Sequence, residues 1–379
     1  MREVAIIGLG QTPVGEHWDT DVRALGARAV RAAIDNAGED AIDALYVGNS
    51  YGASISSQSQ LGPLIADYAG LRGIESWTCE AGEASGGAAL RAGYLAVASG
   101  AVESCIVLGV EKSTDMVGTA RTAGRSVSLD ADYESMHGAT APALAGLLMR
   151  RYMHEYGVDL SAFEGFSINA HANAARNANA MYKNQIKPGA FARAPMVADP
   201  VTLFDAAPDA DGAAAVVLTS AARAPGAVRI IASAAASDSL ALAEREDLLD
   251  FRAVRTSVRR ALEQAGIGRE SIDLFELSDA FTIVSALTIE AAGFAARGEG
   301  WRLAKDGQIG LTGSLPIATF GGLKARGNPV GATGVYQAVE AALQLRGQAG
   351  GSQVTGARTA MIQSLGGMAS TAITHILQA

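Results

Sequence analysis

Apolar and polar positions run along the chain in blocks, and the blocks repeat. The apolar run from Val4 to Gly8 has the length of a buried strand; helical spacing follows, ending in RAVRAAIDNAG, and then come Ile42-Asp43 and the apolar run ALYVGNS. The same series returns as VRIIAS at residues 228–233, a helix ending TSVRRALEQAG, Ile272-Asp273, and LFELSDA. Gly38 and Gly266 hold matching places, where a helix ends on a left-handed residue. Each half continues with a glycine-rich helix start, an alanine-rich helix and an apolar strand. These read EASGGAALRAGYLAVASG then SCIVLGVE in the first half, and PVGATGVYQAVEAALQLRG then TAMIQSLGG in the second. A repeat of this kind predicts a duplicated α/β fold with helices packed on largely parallel sheets. Two such halves set back to back would make a five-layered α-β-α-β-α sandwich.

Between the halves, residues from Lys112 to Asp199 lose the strand alternation and gain polar residues, Met and Tyr. HGATAPALAGLLMRRYMHEYG predicts an amphipathic helix ending at Gly157, and SAFEGFSINAHANAARNANAMYKN predicts another. The turn in DADGAAAVVLTS then returns the chain to a sheet. The expected organisation is a first half of residues 1–111 plus 200–226, an inserted covering region 112–199, and a second half 227–379.

Length and charge narrow the function. A chain of 379 residues can bury a large core without staples. Its formal charge of −9, with no basic block, gives no electrostatic footprint for nucleic acid or an anionic membrane. The opening MREVAIIGLG lacks a signal-peptide cleavage pattern and no segment reads as a membrane span, so a cytoplasmic protein is expected. Cys79 and Cys105 have no metal spacing, and the five histidines are scattered singly, so no metal site is expected.

Four motifs, in order, carry chemistry: EAGEASGG at residues 80–87, SDAF at 278–281, GNPVGATG at 327–334 and SLGG at 364–367. Together with the duplication, they resemble the thiolase superfamily, most closely its archaeal-type and sterol-carrier-type members. Those proteins carry an EAACASGG-like nucleophile segment, an HDAF or NEAF segment, GHPxGATG and a glycine-rich C-terminal segment. The departures are as informative as the matches. Glu83 stands at the place of the nucleophilic cysteine, Ser278 at that of the His or Asn that organises an oxyanion, and Asn328 at that of the GHPxG histidine. Ser364 stands where biosynthetic members have an acid/base cysteine.

Claisen chemistry needs a thiolate, a base to form it and donors for two oxyanions. The matched positions supply neither thiol nor imidazole, so thiolysis is expected to be absent or very slow. The resemblance implies a retained pocket for CoA or an acyl-CoA, with no other cofactor. It places the Asn328 amide and the Ser278 hydroxyl near the thioester oxygen, and the N–H groups of Glu83 and Gly366 around a second oxyanion position. Gly367 shares the glycine-lined turn, His137 matches a pocket-facing HG segment, and Ser233 matches a serine near the pantetheine arm. Glu83 itself reads three ways: a carboxylate favoured by a helix start, a base, or a nucleophile forming a mixed anhydride. Two functions therefore stand open: an acyl-CoA acyltransferase or lyase with Glu83 as acid/base, and a non-catalytic ligand-binding or scaffold subunit. The resemblance also implies a homodimer and a possible OB-fold, zinc-ribbon partner protein.

Overall fold

The computed structural model describes residues 2–39 and 41–379; Met1 and Asp40, both assigned above to the first half, lie outside the described residues. The first half runs β1 (Val4–Gln11), α1 (Val22–Ala37), β2 (Ala44–Gly48), α2 (Leu61–Ala69), β3 (Glu75–Cys79), α3 (Ser85–Ser99) and β4 (Ser104–Glu111). A long connection follows, with α4 (Gly118–Arg125), α5 (Ala141–Tyr156), α6 (Glu164–Ala174) and a small ribbon of β5 (Met196–Ala198) and β6 (Val201–Thr202). Strand β7 (Gly212–Ser220) completes the half. The second half runs β8 (Val228–Ser237), α7 (Arg252–Ala265), β9 (Leu274–Glu276), α8 (Thr282–Ala291), α9 (Gly300–Lys305), α10 (Thr333–Leu345), β10 (Thr359–Gly366) and β11 (Thr371–Gln378).

The repeat seen in the sequence is structural. Gly38 and Gly266 both end their helices at φ near +65°, the conformation a residue without Cβ adopts most cheaply. The two Ile-Asp pairs do the same work. Asp43 accepts the N–H groups of Glu103 and Ser104 at the start of β4, and Asp273 accepts those of Arg358 and Thr359 at the start of β10. The strand order β3-β2-β4-β7-β1-β8-β11-β10-β9 is symmetric about its centre, and Ile317 bridges Phe275 of β9 where the first half has β3.

Two expectations about the sheet are corrected. The halves share one sheet, because β1 pairs with β8 over Val4↔Ile230, Ala5↔Arg229 and Ile6↔Val228. That sheet is mixed rather than largely parallel: β7 and β11 run antiparallel to both neighbours, while β2/β3, β2/β4 and β9/β10 are parallel. Residues 367–370 between β10 and β11 are too few for a crossover and must make a hairpin.

Five layers arise from how the helices pack. Helices α1 and α2 cover the outer face of the first half and α7 that of the second, while α3 and α10 lie against each other and touch strands of both halves. Their crossing needs glycine. A Cβ on Gly334 of α10 would stand 2.3 Å from the backbone nitrogen of Gly87 in α3, and one on Gly86 would stand 2.7 Å from the Gly331 carbonyl oxygen. This close approach brings the starts of both helices to one end of the molecule, beside the ends of β2, β9 and β10.

In the covering region α5 ends at Gly157 as its pattern predicts. The second helix stops early, at Ala174. Past that point the Asn177 side chain donates to the Phe320 carbonyl at 3.0 Å, and Asn173 donates to Ala318 at 3.0 Å, tying the chain to the loop before α10 rather than continuing the helix. Among the described residues no helix is long and apolar enough to cross a membrane.

Candidate active site

Where the starts of α3 and α10 meet, the covering region closes over a cleft of about 530 Å³. Its floor is formed by Tyr51, Glu83, Ser278, Asn328, Thr333 and Gly367, and its roof by α4 and the first residues of α5. Among the described residues lining it there is neither a cysteine nor a histidine.

Glu83 precedes α3 and enters the cleft as a hydrogen-bond acceptor. Its Oε1 receives the Tyr51 hydroxyl at 2.6 Å and the Ser128 hydroxyl at 2.8 Å, and its Oε2 receives the Gly367 N–H at 2.7 Å. Three donors on one carboxylate are the solvation an ionised Glu requires away from bulk water. The Tyr51 phenol is held the other way: burial and the facing Glu83 charge push it well above its ordinary value, so it keeps its proton. The guanidinium of Arg125 lies 5.9 Å from the centre of the Tyr51 ring, and Arg121 and Arg125 both pair with Asp209 on the cleft wall.

A second carboxylate, fully buried, sets the loops. Glu111 at the end of β4 accepts the N–H groups of Ser50, Tyr51 and Gly331 and the Asn49 amide, at 2.9 to 3.2 Å. It thereby ties the loop carrying Tyr51 to the loop carrying Asn328. Burial pushes its pKa up to about 7 against the pull of those donors.

The residues singled out in the sequence divide into two groups. Glu83, Ser278, Asn328 and Gly367 come together in the cleft. Asn328 accepts the Val330 N–H through Oδ1 at 3.1 Å, and its NH₂ group meets no protein acceptor among the described residues. Ser278 lines the wall, but its hydroxyl donates to the Gln363 carbonyl and accepts the Leu365 N–H, both at 3.2 Å, so its proton is committed to β10. The N–H facing Glu83 is that of Gly367; Gly366 instead ends β10 and packs on the Ala81 carbonyl, where a Cβ would stand 2.3 Å away.

Three other positions lie outside the lining. Ser364 is buried at the crossing of α3 and α10 and donates to Gln337 at 3.2 Å. Ser233 lies on β8, where its hydroxyl accepts from Arg91 of α3 at 3.1 Å. His137 is exposed in a single turn of the covering region. Tyr51, Ser128, Arg125 and Thr333 were not singled out. Tyr51 could have been found as the aromatic residue of GNSYGAS directly after β2, since α/β sites gather at strand C-termini.

The thiolase N-terminal domain profile matches residues 4–222 and the thiolase C-terminal domain-like profile matches residues 234–379. The chain belongs to the thiolase family. An acetyl-CoA acetyltransferase of Methanothermobacter thermautotrophicus is 41% identical over 99% of both chains. The benzoylsuccinyl-CoA thiolase subunit BbsB of Thauera aromatica is 29% identical over 97% of this chain and 95% of its own. Among solved structures, one described as "Ltp2-ChsH2(DUF35) aldolase" superposes with a TM-score of 0.85 at 24% identity, over 100% of this chain and 98% of that one. The thiolase fold and acyltransferase family membership inferred from the motifs are therefore established.

Proposed function

We propose that the cleft binds a CoA thioester without forming an acyl-enzyme, and that Glu83 serves as acid/base for a reaction at a carbon–carbon bond of the acyl group. The carrying observation is the Glu83 carboxylate at the nucleophile position, held by Tyr51, Ser128 and the Gly367 N–H in a cleft lined by no thiol or imidazole among the described residues. Cleavage of a β-hydroxyacyl-CoA needs a base for the hydroxyl and donors for an enolate oxygen, and no covalent intermediate. Asn328 and Thr333 offer those donors at the start of α10. A protein of this fold is described as an aldolase, so the architecture accommodates the reaction class. The test is to incubate the protein with β-hydroxyacyl-CoA esters and with acetoacetyl-CoA. Cleavage of the first group without thiolysis of the second supports the reading, and the reverse pattern overturns it.

The second reading, a non-catalytic subunit, is favoured by one observation. All three donors around Glu83 are already satisfied by it, so it fills the place where the Gly367 N–H would otherwise meet substrate oxygen. Binding of acyl-CoA by calorimetry with no turnover of any ester would select it. In either case CoA or its ester is the only ligand required, and the acidic charge fits a cytoplasmic protein.

Two partners complete the proposal. Strand β3 is an open edge of the sheet with three of five residues exposed, whereas the β9 edge is covered by residues 316–317. An open edge of this kind suits pairing with a second copy. The structural neighbour's description names a second component, and BbsB is described as a subunit, which supports a partner protein here; the motif resemblance makes an OB-fold, zinc-ribbon protein the candidate. Sedimentation of the chain alone and with such a purified protein tests both.

A further inference from the structure

We propose that Tyr51 is the catalytic acid of this cleft, delivering a proton to the α-carbon of the bound acyl group, and that Glu83 returns the substrate's hydroxyl proton to it. The inference rests on the carbon–carbon lyase reading above and assigns the proton path within it.

Glu83 accepts on both oxygens and donates to nothing, so it enters the reaction as a base without a proton to give. An enolate released by bond cleavage must still be protonated at carbon. The other groups in the cleft are poor sources. The Ser278 proton is committed to the Gln363 carbonyl. Thr333 is an aliphatic alcohol, far weaker as an acid than a phenol. Arginine does not give up its proton in a protein, and Arg125 is paired with Asp209. Tyr51 alone combines a phenol, a place on the cleft lining and a direct 2.6 Å hydrogen bond to the base.

Its surroundings fit the task. The Tyr51 N–H is fixed by Glu111 at 3.2 Å, and the same carboxylate holds the Gly331 N–H at 3.0 Å, so the phenol and the Asn328 loop keep a constant separation. The Arg125 guanidinium beside the ring favours the phenolate that exists for part of the cycle.

The steps balance. The β-hydroxyl proton passes to Glu83 as that oxygen forms the new C=O bond, and the electrons of the Cα–Cβ bond move into an enolate whose oxygen takes the Asn328 amide N–H. Tyr51 gives its proton to Cα, and the phenolate takes back the proton held by Glu83. A β-hydroxyacyl-CoA becomes a carbonyl compound and a shorter acyl-CoA, and both side chains return to their starting states.

The reverse limb provides the assay. In D₂O the wild type should cleave β-hydroxyacyl-CoA with one deuterium entering the α-carbon of the product, and should exchange the α-hydrogens of acetyl-CoA or propionyl-CoA. Tyr51→Phe should lower cleavage and exchange at least about 100-fold, within the range of general acid–base effects, while the calorimetric Kd for the ester changes less than about threefold. Placing 3-fluorotyrosine at position 51, which keeps the ring and hydroxyl but makes the phenol more acidic, should change the cleavage and exchange rates at least about threefold with Kd unchanged, a change that a packing role would not produce, and it covers the case in which Tyr51→Phe folds poorly. Wild-type cleavage with an active Tyr51→Phe protein, or with rates indifferent to 3-fluorotyrosine, overturns the assignment of Tyr51 alone. A wild type that neither cleaves nor exchanges overturns the lyase reading together with it.

Discussion

A carboxylate on the lining of the cleft changes what the cleft can hold. The negative charge of Glu83 repels a thioester oxygen seeking the Gly367 N–H, which Glu83 already occupies. Glu83→Gln removes the charge while its amide oxygen keeps the Gly367 bond, so affinity for acetyl-CoA should rise roughly tenfold in a calorimetric titration. Unchanged or weaker binding would show that substrate oxygen lies elsewhere. Thiolysis is a separate matter, because nucleophile and base act as a unit. Glu83→Cys alone should leave acetoacetyl-CoA thiolysis undetectable, and Glu83→Cys with Asn328→His should produce it, read by loss of the enolate absorbance of acetoacetyl-CoA. Ser278→His is a poor addition, since it breaks the bridge from Gln363 to Leu365. At this scale the sequence revealed Glu83, Asn328 and Gly367 because motifs stand beside them. It did not reveal Tyr51 or Ser128, which reach Glu83 across 32 and 45 residues of chain through side-chain hydrogen bonds that no local pattern records.

Elements meet here through glycines and one buried acid. Gly334→Ala would drive a methyl group into the Ser364 hydroxyl and into the Gly87 backbone, which cannot move without separating α3 from α10. A loss of about 1–3 kcal/mol or more, the usual cost of overpacking, should appear as a lower urea midpoint. Glu111 gives the pH dependence. In the folded chain it keeps its proton up to about pH 7, whereas an unfolded glutamate releases it near 4.5. Between those values the folded state binds more protons, so this group's contribution makes stability fall as pH rises across that window. The melting temperature should therefore drop more steeply between pH 5 and 8 in the wild type than in Glu111→Gln. Equal slopes would mean that the donors from Ser50, Tyr51 and Gly331 outweigh burial and keep Glu111 ionised throughout.

For the whole molecule, duplication was legible because it is written twice: the Ile-Asp pairs and capping glycines hold the same backbone positions in each half. The direction of β7 and β11 was not legible, since apolar alternation is the same for either direction of pairing. Nor was the join of the two sheets, which depends on three residue pairs between β1 and β8 that are 222 to 226 positions apart. Sheet closure has a consequence for assembly. Joining the halves at their centre removes two edges, and residues 316–317 cover a third, which leaves β3 as the exposed one. Trp77 of that strand is 45% exposed while its ring leans on Tyr46 with centroids 4.7 Å apart, so its outer face is free to meet another chain. Sedimentation should show a dimer at micromolar concentration, and Trp77→Glu should shift it towards monomer with the far-ultraviolet dichroism unchanged, because like charges would then face each other across the paired edges. A wild type that stays monomeric, or a dimer indifferent to Trp77→Glu, would place the contact away from β3.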